Sequence, residues 1–368
     1  MSSSGSPDLN IPFSNSTVTV QALDTLTPAS HGPASYFLSP TLPGRELAWF
    51  PDLAFLIEHN GRRIMFDLGL RKDQENFPPA LRAMTVAVKE YGMKCNRDVV
   101  DQLLEGGIEL ESVEAVIWSH THFDHIGDMS RWPHTTKLIV GPGSDRKTYP
   151  TVPDAHLLES DFAGREVQEL SFIDSSLKIA GAPAIDFFGD GSLYILDLPG
   201  HLPGHLGALA RVKPNSFVAF GGDTCHHVGH LRPNEFHHKT HPCPGHILTS
   251  TRKSISTEYF PSPLHPDSNE FDLARRDTPL LTIPSPDGDK PTAHIDPVKA
   301  KESIRTLSLL DSHPDVFVAI AHDLTLVEVV DLFPGKLDDW KEKGWKEKAL
   351  WAFLKEDNKS FRFNPTVT

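Results

Sequence analysis

The chain has 368 residues, 39% hydrophobic and 23% charged, which is the composition of a globular protein with material for a sizeable core. A formal net charge of −14 with no basic stripe argues against a nucleic-acid partner, whose affinity depends on clustered Lys and Arg. Three scattered cysteines, Cys95, Cys225 and Cys243, form no disulfide framework, and no apolar run approaches the roughly 20 residues of a membrane span.

Residues 1–16 are rich in Ser, Pro and Asn and read as a flexible N-terminus without the basic start and apolar run of a secretory signal. A cytoplasmic, reduced protein is therefore expected, with the sequons at Asn15 and Asn358 idle. Apolar runs at 18–23, 53–58 and 63–69 read as strands, the last two joined by the hairpin signal His59-Asn60-Gly61. Residues 96–107 read as a helix with Asn96 as N-cap and Gly106 or Gly107 beyond its end. Strands are predicted at 113–118, 137–141, 166–172, 177–181, 184–188, 193–198, 208–212 and 217–220.

Between about 226 and 292 the periodicity fails in a segment rich in proline and histidine, which suggests a lid or binding insertion. A helix follows, with Asp296 as N-cap and Pro297 at its first position, then a strand at 316–321. A mixed-sign amphipathic stretch around 337–356 predicts a closing helix, part of a C-terminal extension over 331–368.

The chemistry concentrates in WSHTHFDHIG, residues 118–127. His120, His122, Asp124 and His125 cannot share one helix face, because 120 and 122 would lie on nearly opposite sides. They follow an apolar strand, so they occupy a loop at its C-terminal end. Neutral imidazoles and a carboxylate are zinc-type ligands, and a cation makes their crowding favourable. Three further strands deliver candidates at the same kind of position: PGHLPGHLG carries His201 and His205, GGDT carries Asp223, and AHD carries His322.

HTHFDH, PGHLPGHLG, GGDT and AHD, in that order, resemble the metallo-β-lactamase superfamily over most of residues 17–330. The resemblance implies an α/β fold, an αββα sandwich of two mixed sheets flanked by helices, in a domain spanning 17–330. It implies two divalent ions, zinc by default with Fe, Mn or Co acceptable. One ion would take His120, His122 and His205, the other Asp124, His125 and His322, with Asp223 bridging. By the same resemblance His201 is structural, and Asp67 of FDLG orients the ligand loop from behind. Asp323 of AHD is open between an outer role and none.

The segment from Asp296 to Leu326 resembles N-acyl-homoserine-lactone lactonases. Opening of a lactone or related carboxylic ester by a metal-bridging hydroxide is then implied, with a small-molecule substrate and with Asp124 and Asp223 managing protons. The lactonases place a tyrosine three residues after the bridging aspartate. This chain has His226 there, a candidate for the same contact, and the substrate pocket is otherwise unassigned. Trp49, Phe50, Phe123, Phe236 and Phe260 are candidates for its apolar lining. A thioesterase of the same fold, glyoxalase II-like or acting on a polyketide acyl carrier, is the alternative. A phosphodiesterase, lacking basic substrate contacts, and an iron-dependent oxidoreductase rank below it.

Overall fold

The computed structural model describes residues 5–26, 29–41, 46–88, 93–243, 277–284 and 292–355. The first half of the chain builds one sheet from Thr19–Asp24 (β1), Leu53–His59 (β2), Arg62–Phe66 (β3), Val113–Ile117 (β4), Lys137–Val140 (β5) and Val167–Glu169 (β6). The second half builds another from Lys178–Ile179 (β7), Ala182–Asp186 (β8), Leu193–Asp197 (β9), Leu206–Lys213 (β10), Ser216–Phe220 (β11) and Val316–Ala319 (β12). Each sheet is ordered as the chain is, β1 to β6 and β7 to β12. Both are mixed: β3 to β6 run parallel, as do β11 and β12, and the other neighbours are antiparallel.

The central strands are covered on both faces, so they read as continuous apolar runs with no alternation. Along β2, Phe55 and Ile57 point between the sheets, while Ala54 and Leu56 point outward under a helix. Phe55 stacks on Phe220 of the facing sheet, ring centroids 4.2 Å apart. Val99–Glu105 (α1) covers the outer face of the first sheet through Val99 and Leu103. Pro297–Ser312 (α2) crosses between the parallel pair β11 and β12, and its Leu307 and Leu310 cover the outer face of the second. The result is the predicted helix–sheet–sheet–helix sandwich.

Local sequence explains most element ends. Asn60 (φ 49°) and Gly61 (φ 81°) make the turn between β2 and β3, as their residue types require. Asp296 caps α2, its carboxylate accepting from Lys299 N–H at 3.1 Å. The cap of α1 is Asp98, accepting from Asp101 N–H at 3.0 Å; the expected Asn96 lies two residues too early.

Three larger expectations change. The N-terminal segment is fixed from residue 5, because Leu9 enters the outer core of the second sheet and its carbonyl accepts from Ala180 N–H at 2.9 Å. The closing helix contracts to Trp345–Ala349, preceded by turns with Gly344 in the left-handed region. There Lys346 is buried and donates to the carbonyls of Asp311, His313 and Val316 at 2.5–2.6 Å, holding the end of α2. Burial pushes its ammonium down to about 7. Finally, the start of the expected lid is interior. Residues 226–234 are all buried, and Arg232 pairs with Asp311 at 2.7 and 2.9 Å. Residues 244–276 and 285–291 of that insertion, His246 and Phe260 among them, lie outside the described residues.

Candidate metal centre

Four strand ends meet on one rim of the sandwich. The loop after β4 carries His120 to His125, the loop after β9 carries His201, and Asp223 and His322 follow β11 and β12 within three residues. Behind them, Asp67 follows β3 with φ 62°, a conformation that Asp tolerates better than most residues. Its Oδ1 accepts from Ser119 N–H at 2.6 Å, and its Oδ2 faces His125 Nδ1 at 2.9 Å. The carboxylate thereby fixes both the start of the ligand loop and one ring within it.

On one side of the rim, three imidazole nitrogens converge. His201 Nε2 is 3.2 Å from His120 Nε2 and 2.9 Å from His122 Nδ1, which is 3.0 Å from His120 Nε2. On the other side, Asp124, His125 and His322 bring one ligand atom each to within 4.8 Å of one another. Asp223 stands between. Its Oδ1 lies 3.0 Å from His322 Nε2 and 3.2 Å from His125 Nε2, and its Oδ2 lies 3.3 Å from His201 Nε2 and 3.6 Å from His120 Nε2.

His201 and His205 exchange their expected places. His205 is fully buried, but its Nδ1 faces the Leu198 carbonyl at 2.9 Å and its Nε2 accepts from Asp223 N–H at 3.0 Å. Both ring nitrogens are therefore spent on backbone, and the ring braces the Asp223 loop from below. His201 instead turns its Nε2 into the cluster.

This arrangement fits cations. Nitrogens and oxygens about 2.0–2.1 Å from a tetrahedral ion are separated from one another by about 3.3 Å, close to the spacings in the His120, His122 and His201 triad. His125 Nε2 and Asp223 Oδ1 are buried and only 3.2 Å apart, yet neither makes a hydrogen bond of proper geometry, as ligand atoms converging on an ion would not. Burial holds His122 down to about 4 and lowers His120 and His201 strongly, so these three are neutral and able to ligate; it also holds His205 down to about 4, as its two backbone contacts require. Burial disfavours charge on His125 and His322 as well, yet the Asp223 carboxylate overrides it. His322 rises to about 9 and His125 well above its ordinary range, while these imidazolium neighbours hold Asp223 well below the carboxylate range against its burial. Without a cation, protons supply the positive charge that this site demands.

Residues 47–279 match the metallo-beta-lactamase superfamily. The chain belongs to that superfamily. Among its relatives, the gamma-lactamase FDB1 of Fusarium pseudograminearum is 40% identical over 370 residues, 94% of this chain and 84% of that protein. The mpaDE' protein of Penicillium brevicompactum, named a cytochrome P450 monooxygenase, is 41% identical over 361 residues. This chain covers only 38% of its length, so the monooxygenase name describes a protein much longer than the shared part. An N-acyl homoserine lactone hydrolase with N-hexanoyl-L-homoserine at its catalytic metal center shares the fold: TM-score 0.53 and 15% identity, over 87% of this chain and 99% of that one. A further relative, from Annulohypoxylon moriforme, is named a metallo-hydrolase and is 39% identical over 359 residues, 95% of this chain and 90% of that protein. Among the described residues, no helix is long and apolar enough to cross a membrane.

The remaining candidates of this superfamily member divide by contact. His226 Nε2 is 3.1 Å from Asp223 Oδ2, beside the centre. Asp323 caps the helix Leu324–Val329 by accepting from Thr325 N–H at 2.9 Å, which accounts for one of its oxygens away from the cluster. His237 belongs to the buried Arg232–Asp311 pair, with Nε2 3.0 Å from Asp311 Oδ2. Phe50 packs edge-on to His322, centroids 5.8 Å apart, whereas Trp49 rests on His31, Phe123 on Phe77, and Phe236 under Lys239. Two residues near the centre carried no expectation. Phe37 lies 4.7 Å from the His226 ring, and His294 lies 5.2 Å from the His201 ring. Burial, with His226 adding to it, pushes His294 down to about 2, so its imidazole is neutral. Neither residue sits in a motif; each reaches the site only through tertiary packing.

Proposed function

We propose that this chain is a dinuclear metal-dependent hydrolase that opens a lactone or a related cyclic carboxylic acid derivative. The observation that carries the reading is the division of Asp223, with one oxygen toward His125 and His322 and the other toward His120 and His201. In this reading His120, His122 and His201 hold one ion, Asp124, His125 and His322 hold the second, and Asp223 bridges. Zinc is the default, with iron, manganese or cobalt compatible with the same donors. When bound, such a pair polarises a carbonyl and brings the pKa of water toward neutrality.

The protein's own groups then orient and protect. Asp67 fixes the His125 ring, so that its Nε2 lone pair is aimed at the centre. His205 holds the Asp223 backbone, and His226 donates from Nε2 to Asp223 Oδ2, limiting rotation of the bridging carboxylate. Phe37 and Phe50, ring centroids 4.8 Å apart, keep water from the His226 and His322 side. Asp124 is the most accessible carboxylate of the group, at 17% exposure, and is placed to pass a proton to a departing alkoxide.

A second reading is supported by the FDB1 relationship: cleavage of a γ-lactam, whose amide presents the same carbonyl with a poorer leaving group. The two are separated by turnover of an acyl-homoserine lactone and of a γ-lactam, measured together with metal content per chain. His122→Ala and Asp223→Ala should each abolish hydrolysis of whichever substrate is turned over. Near-normal turnover by either variant would overturn the proposal.

A further inference from the structure

Two buried histidines stand beside Asp223 outside both ligand triads, His226 at 3% exposure and His294 at 2%. One ring nitrogen from each of His201, His226 and His294 lies within 4.8 Å of the other two. A carboxylate only accepts hydrogen bonds, so His226 donates to Asp223 from Nε2, and in that tautomer its Nδ1 is an acceptor. That Nδ1 and both ring nitrogens of His294 are buried without a hydrogen-bond partner among the described residues. Neutral His294 offers one donor and one acceptor. Together the two rings therefore present a donor and an acceptor next to the bridging carboxylate, and leaving such groups unpaired is costly.

The backbone fixes His294 in this place. Ile295 N–H donates to the His201 carbonyl at 3.1 Å, Asp296 N–H to the Gly200 carbonyl at 2.9 Å, and Ala293 N–H to the Tyr36 carbonyl at 3.2 Å. Segment 293–296 is thus stitched to the very loop that carries His201. A third cation on these three rings would have to share His201, whose Nε2 already completes the triad with His120 and His122.

We propose that His294 is a substrate-binding residue, and that with His226 it matches the polar edge of a cyclic amide. His294 donates to the acyl oxygen, and His226 Nδ1 accepts from the ring N–H. This deepens the lactam reading above and rests on it. A lactone carries an ester oxygen in place of the N–H and leaves the His226 acceptor unpaired. Sites built to pair a polar group discriminate strongly against the analogue that lacks it.

The test uses the zinc-loaded full chain, with 2-pyrrolidinone and γ-butyrolactone as probes of equal ring size, and reads binding by ligand-observed NMR. Wild type should bind the lactam about tenfold more tightly than the lactone, and His294→Ala should weaken lactam binding about tenfold at unchanged metal content. His294→Gln, which retains an N–H donor, should recover most of the loss. Equal binding of both probes by wild type, or lactam binding unaffected in His294→Ala, would overturn the proposal. If His294→Ala fails to hold metal, His294→Gln decides: a metal-replete Gln variant without lactam preference also overturns it. Binding is read apart from turnover, so a chain that binds the lactam but cleaves neither ring refutes the hydrolase reading and leaves the recognition intact.

Discussion

Replacing His201 and His205 by alanine, one at a time, separates the two histidines of PGHLPGHLG by consequence. His201→Ala removes one of three nitrogens that lie 2.9–3.2 Å apart, so the centre should retain one tightly bound zinc of two. His205→Ala leaves every proposed ligand in place but strips partners from the Leu198 carbonyl and the Asp223 N–H. Each buried group left unpaired costs about 1–3 kcal/mol, so a loss of about 4 kcal/mol is expected. Unfolding entropy of about 2.1 cal/mol/K per residue amounts to about 0.8 kcal/mol/K over the chain, which converts that loss to a Tm decrease of about 5 °C. Loss of an outer support costs roughly 10- to 100-fold in metal affinity, so His205→Ala should still hold two ions at saturating zinc. The assay is elemental analysis after dialysis at fixed free zinc, paired with thermal melts. A His205→Ala protein with one ion and a His201→Ala protein with two would refute the geometric reasoning.

Two further outcomes follow from the same centre. His322 is held up to about 9 and His125 above its ordinary range, so at pH 7 the metal-free centre carries protons that a cation must displace. Zinc affinity should rise from pH 6 to pH 9, with proton release measurable by calorimetry in buffers of different ionisation enthalpy; a flat profile would contradict the pairing. In the metal-free chain the raised His322 pKa means that the stabilisation from its pairing with Asp223 is complete below about 6.5 and is lost as pH rises through about 9. Gly200→Ala would place a Cβ 2.1 Å from Ala300 N at a backbone φ of 127°. Helix α2 has to shift to admit it, so a destabilisation of about 3 kcal/mol is expected from overpacking and strain, read by denaturant melts against wild type; an unchanged midpoint would refute it.

The sandwich was readable because its central strands are long apolar runs between turn residues, and the ligand-bearing loops because each follows such a strand directly. Spacing identifies 120–125 as a convergent loop but cannot choose between His201 and His205. Both follow β9 closely and both are buried, and only the path of the turn from Leu198 to His205 decides which ring meets backbone. His294 was invisible for a different reason: it is one histidine among many near the proline-rich segment, carried to the centre by backbone bonds to a loop more than 90 residues earlier. The closing helix failed on local grounds. Its amphipathic period was real, but Gly344 in the left-handed region interrupts the helix, and Lys346 turns inward to the carbonyls after α2.

The chain-ordered sheets have a consequence for how the centre comes into being. Each triad draws two members from the first half of the chain, His120 with His122 and Asp124 with His125, and one from the second, His201 or His322; Asp223 also comes from the second. Neither half holds a complete set, so the centre is a seam and not a pocket within one sheet. Cations seated there would act as rivets, adding to the bonds that already join the halves along that rim, Leu206 N–H to the Ser119 carbonyl at 2.8 Å and Leu53 N–H to the Ala321 carbonyl at 3.0 Å. Two fragments divided in the connection between β6 and β7 would then be expected to reassociate more tightly with zinc than without it, and metal capture would report the docking of the halves.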